Sequence, residues 1–393
     1  MVKKCYSVAM HTLIALSALG AEKFLSNEIK QLGYKPLYSK SGRVAFIGDD
    51  DALFRANLCS RIADRIYLQM AAFTAKDFDA LYDGIYAINW QDFFRKDVRI
   101  IIDKVRTKQS LLSSEHTIQS MSHKAIYDKL GAVWKMASMP ETGSISTIRI
   151  YVEKDEVLVL LDLSGEPLHK RGYRNKGGPA PLRETIAASL LQAMMWKRKM
   201  PLHDAFCGSG TIPVEAALYA YNIAPGFGRS FALENLSFYD QKRVNEILKK
   251  EAAKIRPDAH ARITGTDIDA EAIERARLHA EHACVTAGRA LQLIGSDARI
   301  QRPDFEIADF RDLKAPYDEG ILLSNLPFGE RLMNKDEVAA LYTDIPKLFE
   351  AFPHWQFGFY TANPQFEAAL DKKAKQERLI KTGNLNTVFY QYE

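Results

Sequence analysis

The chain has 393 residues, 47% of them hydrophobic and 26% charged, a composition that suits a globular protein of two or three domains and excludes a disordered or fibrous one. A formal net charge of +4 is too small to establish nucleic-acid binding by itself. The four cysteines (Cys5, Cys59, Cys207 and Cys284) form no C-x-x-C pair and none has a histidine at zinc spacing, so no disulfide framework and no metal site is expected, and a reducing, cytoplasmic compartment fits.

At the N-terminus, Lys3 and Lys4 precede the apolar stretch Val8–Leu19, which looks like a secretion signal until Met10-His-Thr interrupts it. Leu25, Ile29 and Leu32 then recur at helical spacing among charged residues. The segment reads as a strand over Cys5–Met10 followed by an amphipathic helix. No run of about twenty apolar residues occurs, so no membrane-spanning helix is expected. Further strands are expected at Arg43–Ile47, Arg65–Phe73 and Val98–Val105, and helices at Asp50–Leu58, Phe78–Ile88 and Ser113–Leu130. Thr147–Val152 and Glu156–Leu163 read as a hairpin turning at Lys154-Asp155. This first third is an α+β pattern with a mixed sheet.

Residues 166–200 carry eight basic side chains against Glu166 and Glu184, and Lys176-Gly-Gly-Pro-Ala-Pro181 breaks any helix in their middle. This is a basic linker leading through a helix into the next domain. Its charges are either a solvated surface or, with Tyr173 beside them, an RNA-facing strip.

From Pro201 onward, strands at Leu202–Ala205, Arg262–Thr266, Phe305–Ala308 and Gly320–Ser324 alternate with helices that include Thr211–Tyr221 and Glu271–Cys284. Such alternation predicts a parallel sheet with helices on both faces, which binds ligands at the carboxyl ends of its strands.

The chemistry is concentrated at those ends. Asp204-Ala-Phe-Cys-Gly-Ser-Gly-Thr211 closes a strand and opens a helix, and Gly208 and Gly210 let the backbone turn and approach a ligand. The full dinucleotide fingerprint is absent, because Pro213 stands where its last glycine would be, which argues against a nicotinamide cofactor. Cys207 is read as a small residue packed beside a cofactor rather than as a catalytic thiol. Gly265-Thr-Asp-Ile-Asp269 ends the next strand. Asp267 is placed to accept from two ribose hydroxyls, and Asp269 caps the following helix. Asp309, after the third strand, is the candidate for the adenine amino group. Each aspartate alone could be a cap, but the ordered series points to S-adenosylmethionine (SAM).

Asn325-Leu-Pro-Phe328 follows the fourth strand. An exocyclic base nitrogen is a poor nucleophile, because its lone pair delocalises into the ring, so it must be held in line with the sulfonium methyl. The Asn325 side-chain oxygen and the Leu326 carbonyl supply two acceptors. Pro327 restricts the residue before it, and Phe328 offers a stacking ring for an extruded base. Positioning and preorganised acceptors then supply most of the catalysis without a strong base.

With these motifs assembled, the chain resembles the RNA guanine-N2 methyltransferases that carry a THUMP domain, above all the bacterial enzymes acting on 23S ribosomal RNA. His169–Arg174, Ala180–Glu184, Asp204–Thr211, Asn222–Gly226, Gly265–Asp269 and Asn325–Arg331 match that family's motifs in order. The resemblance implies an α/β chain of four parts. These are a ferredoxin-like N-terminal segment (1–65), a THUMP RNA-binding domain (66–165), the basic linker and leading helix (166–200), and a Rossmann-like class I methyltransferase domain (201–393). It implies SAM as donor and N2-methylguanosine as product. Asp204, Phe206, Cys207, Gly208, Gly210 and Thr211 would line the methionine end of SAM, Asp267 and Ile268 the ribose, and Asp309 the adenine; Asn325, Leu326, Pro327 and Phe328 would hold the base.

Structured RNA is the expected partner, with Arg95, Arg99, Lys104, Arg106, Lys108, Lys170, Arg171 and Arg174 as candidate contacts. The sequence departs from the family at Ala205, Leu326 and Phe328, where proline, proline and tyrosine are usual. Transfer-RNA guanine methyltransferases share the Asn-Leu-Pro-Phe form, so ribosomal and transfer RNA both stay open. An N6-adenine DNA methyltransferase and a non-catalytic RNA-binding assembly factor are the other readings.

Overall fold

A computed structural model describes residues 9–174, 181–328, 335–381, 383 and 385–393. Among these residues the chain builds two seven-stranded sheets.

The first sheet contains β1 (His11–Leu16), β2 (Lys35–Lys40), β3 (Arg43–Gly48), β4 (Arg65–Thr74), β5 (Arg99–Lys108), β6 (Ile145–Glu153) and β7 (Glu156–Asp162), with α1 (Glu22–Gln31), α2 (Asp50–Cys59), α3 (Phe78–Tyr86) and α4 (Glu115–Trp134) between them. Local chemistry sets several boundaries. The side chains of Asp49, Asp77 and Ser114 accept from the first-turn amides of α2, α3 and α4. Lys154 and Asp155 both take positive φ (55° and 64°), as a two-residue hairpin turn requires. The first strand corrects the sequence reading. It spans His11–Leu16 rather than Cys5–Met10, because the buried run is Leu13, Ile14 and Ala15; residues 5–8 lie outside the described residues.

The strand order β2-β3-β1-β4-β7-β6-β5 shows that β4 pairs with β1 on one edge and β7 on the other. The expected boundary at residue 65 therefore marks no break in the sheet. The sheet also curls. In a flat sheet β3 and β6 would stand about 19 Å apart, four strand spacings, yet Arg43 donates to Glu153 at 3.2 Å and lies over the Tyr151 ring at 4.8 Å. The curled face encloses a small core of Ile14, Ala45, Tyr67 and Leu160. The other face packs on the helices.

The second sheet is built from β8 (Leu202–Asp204), β9 (Ile263–Asp267), β10 (Asp304–Ile307), β11 (Gly320–Asn325), β12 (Trp355–Thr361), β13 (Gln376–Leu379) and β14 (Val388–Tyr392). α5 (Glu184–Ala193) precedes it, and α6 (Thr211–Ala220), α7 (Gln241–Ala252), α8 (Ala270–Gln292), α9 (Lys335–Asp344), α10 (Pro346–Ala351) and α11 (Phe366–Leu370) connect its strands. The order is β10-β9-β8-β11-β12-β14-β13, with β14 antiparallel to its neighbours. This is a doubly wound Rossmann-like sheet whose order reverses between β8 and β11, the crevice where such sheets bind ligands. No helix among the described residues is long and apolar enough to cross a membrane.

The two halves are joined by buried polar contacts. Arg61 donates to the Ile223 carbonyl just past α6, and Arg55 pairs with Glu251 of α7. Gly226 lies so close to Leu58 that a Cβ there would stand 2.8 Å from the Leu58 Cα.

Candidate active site

The glycine loop leaves β8 at Asp204. Gly208 and Gly210 both have positive φ (50° and 78°), conformations that favour glycine. Their surroundings differ. A Cβ on Gly210 would stand 2.9 Å from the Ala276 Cβ, whereas one on Gly208 would meet nothing within 4 Å. Gly208 therefore turns its bare face to open space, where a ligand can approach the backbone. Gly210 ends the loop as the N-cap of α6 with no side chain satisfying the first amides.

Asp267, at the end of β9, holds this loop. Its carboxylate accepts from the Gly208 amide at 2.8 Å and from the Asp269 amide at 3.0 Å. Asp269 caps α8 through the Glu271 amide. Ile268, between the two acids, is 69% exposed beside the loop. Asp309 caps a short 3-10 turn, and both its oxygens take bonds from the Arg311 guanidinium. Phe206 packs on Phe310 with ring centroids 4.8 Å apart.

Asp204 is buried, and that burial pushes its carboxyl up to about 7 against bonds from Ser324 and the Phe206 amide. Burial likewise pushes the Cys207 thiol well above its ordinary range, so it is a neutral small side chain and no nucleophile.

The Asn325 loop stands directly across the switch point. β11 pairs in parallel with β8, and the Ser324 hydroxyl accepts from the Ala205 amide at 3.0 Å. This places Asn325 beside the glycine loop. Two residues that the sequence reading missed stiffen the turn. The Leu326 amide donates to the Tyr360 carbonyl, and the Tyr342 hydroxyl donates to the Pro327 carbonyl at 2.6 Å while sharing a bond with Thr361. Leu326 is fully buried, whereas Phe328 is 36% exposed at the mouth. Glu330 and Arg331 of the same motif lie outside the described residues.

The basic residues separate into two groups. Arg95, Arg99, Lys104, Arg106 and Lys108 are exposed on or beside the edge strand β5, and Lys170 is exposed and paired with Glu166. Arg171 and Tyr173 overturn the idea of a continuous RNA-facing strip. Arg171 is buried against Glu215 of α6, donates to the carbonyls of Leu168, Ser60 and Arg61, and has no surface to offer; Tyr173 is buried with its hydroxyl on the same Glu215. Arg174 turns inward to Thr211 and Glu184. The sequence signal that could have located this cluster is Glu215, a lone acid in the apolar helix Thr211–Ala220.

Three family models match the chain. An RlmL ferredoxin-like domain matches residues 12–67, a THUMP domain residues 75–162, and an RMKL-like methyltransferase domain residues 171–391. Among curated relatives, the Bacillus subtilis (strain 168) protein YpsC, whose name makes it a candidate RNA methyltransferase, is 37% identical over 97% of this chain and 96% of its own. Among solved structures, SMU.472, a candidate methyltransferase crystallised with SAH, superposes with a TM-score of 0.85 at 31% identity over 98% of both chains. A Listeria monocytogenes protein described as a predicted N6-adenine-specific DNA methylase gives a TM-score of 0.87 at 33% identity, over 98% of this chain and 96% of that one.

Proposed function

This chain belongs to the family of THUMP-containing methyltransferases with an RMKL-like catalytic domain, and from that premise we propose that it transfers a methyl group from SAM to the exocyclic N2 of a guanosine in structured RNA, with 23S ribosomal RNA as the substrate. The observation that carries this reading is the juxtaposition of the glycine loop and the Asn325 turn across one parallel strand pair. A methyl donor held by the first loop and an amino group held by the second would then face each other at the switch point.

In this reading Asp267 accepts the ribose hydroxyls, and Ile268 packs on the nucleoside. The uncapped start of α6 faces the amino-acid end of SAM. Asp309, engaged by Arg311, reaches the adenine amino group through whichever lone pairs that pair leaves. The Asn325 side chain and the Leu326 carbonyl accept the two N–H groups of the base, drawing its nitrogen lone pair toward the methyl carbon; Phe328 stacks on the extruded ring. No group needs to remove a proton before attack, because the nitrogen becomes acidic as it is methylated and then releases its proton to an acceptor already in place. The exposed cations along β5 would grip phosphates.

A second reading is N6-adenine methylation of DNA, favoured by the description of the Listeria relative and by the same amino-group geometry. The THUMP match weighs for RNA. The deciding experiment is methyl transfer from labelled SAM to unmodified ribosomal RNA, transfer RNA and duplex DNA, followed by nucleoside analysis. N2-methylguanosine in ribosomal RNA supports the proposal. The same product in transfer RNA moves the substrate, and label on duplex DNA as N6-methyl-2′-deoxyadenosine overturns the reaction.

A further inference from the structure

Most of the basic residues that the structure describes between 166 and 200 are already engaged. Lys170 pairs with Glu166, Arg171 with Glu215, Arg174 with Glu184 and Arg183 with Asp64. Arg198 donates to the Tyr219 carbonyl at 3.1 Å and lies over the Tyr219 ring, which pins its turn to the end of α6. That turn is closed by the Met200 amide on the Lys197 carbonyl at 2.8 Å. Lys197 and Lys199, on either side of Arg198, stay exposed and make no ion pair among the described residues.

These two lysines line a groove of about 550 Å³ at the amino ends of β8, β9 and β11, the opposite end of the sheet from the glycine loop and the Asn325 turn. Arg262, just before β9, adds a third cation, and Tyr317, Asp318 and Glu319, just before β11, complete the lining used here. Backbone bonds fix these segments against one another: the Leu202 amide donates to the Arg262 carbonyl, the Ile321 amide to the Pro201 carbonyl, and the Trp355 indole to the Tyr317 carbonyl at 3.0 Å. The Arg262 guanidinium lies over the Tyr317 ring at 4.9 Å, and Tyr317 is still 36% exposed. Asp318 and Glu319 pair with none of the three cations, although all five charges line one groove.

The mixture of charges selects the ligand. A duplex turns its phosphates outward and hides its base edges, so the two carboxylates repel it, as they repel an acidic peptide. A single strand presents phosphates, ring faces and free amino groups together. The cations take its phosphates, Tyr317 stacks on a base, and the carboxylates accept from base amino groups. We propose that this groove is a second RNA site, which holds a single-stranded segment at the amino ends of the catalytic sheet. This rests on the reading of RNA as the substrate. With the six residues of β11 between the two ends, the segment lies about 20 Å from the Asn325 turn. It is therefore a contact to a different part of the RNA from the methylated base.

The test measures fluorescence anisotropy of labelled oligocytidylate and oligouridylate of about twelve nucleotides, a length within the range of single-strand grooves. The substituted side chains are exposed, so the variants should fold as the unsubstituted protein does. Arg262→Ala should weaken oligocytidylate about tenfold. The double variant Lys197→Ala, Lys199→Ala should do the same and lower the salt slope by about 1.4, two single-strand phosphate contacts. Oligocytidylate, which carries amino groups, should bind the unsubstituted protein about threefold more tightly than oligouridylate, which has none. Asp318→Asn with Glu319→Gln should remove that preference while tightening oligouridylate. Groove variants that bind both strands like the unsubstituted protein would overturn the proposal, as would a duplex or a polyglutamate peptide that depends equally on the three cations. CMP competing as well as oligocytidylate at equal nucleotide concentration would overturn the strand in favour of a free nucleotide. Failure of the unsubstituted protein to bind any RNA would overturn the RNA reading and the groove together, whereas RNA binding indifferent to the groove variants would overturn the groove alone.

Discussion

Glu215→Ala tests the buried seam between the two halves. The Glu215 side chain is 0% exposed and its partner Arg171 2% exposed, so removing the carboxylate leaves a buried guanidinium with backbone acceptors and without its hydrogen-bonded counter-charge. Breaking a buried pair in this way costs about 3–5 kcal/mol. At a urea dependence of roughly 3 kcal/mol per molar, the unfolding midpoint should drop by about 1–1.7 M. The double substitution Arg171→Met, Glu215→Leu removes both charges while keeping apolar volume, but it also strands the Leu168, Ser60 and Arg61 carbonyls and the Tyr173 hydroxyl, so it should recover only part of the loss. Urea titrations followed by circular dichroism on the three proteins provide the assay. A midpoint shift below about 0.3 M for Glu215→Ala would refute the claim that this pair is an electrostatic seam.

The other predictions concern the site. Asn325→Ala should lower turnover by about 10²-fold while SAM affinity, read by calorimetry, stays the same; unchanged turnover would remove Asn325 from the chemistry. Gly208→Ala, with space for its Cβ but a φ of 50°, should cost the fold only about 1 kcal/mol while sharply weakening SAM binding, whereas Gly210→Ala, with a contact at 2.9 Å, should lower the melting temperature as well; the two variants behaving alike would contradict the assignment of Gly208 to the ligand side. Asp204 has its carboxyl raised by burial from 3.8 to about 7. Its protonated form therefore favours the folded state, a contribution fully present below pH 4 and lost as pH rises through 7. Asp204→Asn should flatten the stability decline between pH 4 and 8 seen in urea titrations, and identical pH profiles would sink that prediction.

Much of the second half was legible in the sequence because its signals are local. Glycines at positive φ, acids at strand ends and the Asn-Leu-Pro-Phe turn must be written as particular residues wherever the chain bends there. The hairpin at Lys154-Asp155 was legible for the same reason. Four things were not, because each lacks a local signal or depends on contacts between distant segments. The strand at His11–Leu16 was displaced by six residues in the reading, since period-two alternation cannot place the start of a continuous apolar run. The strand β2 was missed because its Lys, Pro, Leu, Tyr, Ser, Lys sequence is mostly exposed and shows no buried face. Arg171 looked like a surface cation, because the carboxylate that neutralises it lies 44 residues further along the chain. Tyr342 and Tyr360, which stiffen the Asn325 turn, are likewise ordinary core tyrosines until the sheet brings them beside it.

The curled first sheet bears on how such a protein can be recombined. With β4 shared between β1 and β7, and with Arg43 reaching over three intervening strands to Glu153, residues 12–67 and 75–162 are not separable cassettes. A graft that exchanged only one of them would leave a long strand edge of unpaired amides and carbonyls, and would open the small core around Tyr67 to solvent. A chimera should therefore inherit both matched segments together, with the crossover point placed beyond Asp162, where the last strand of the curl ends.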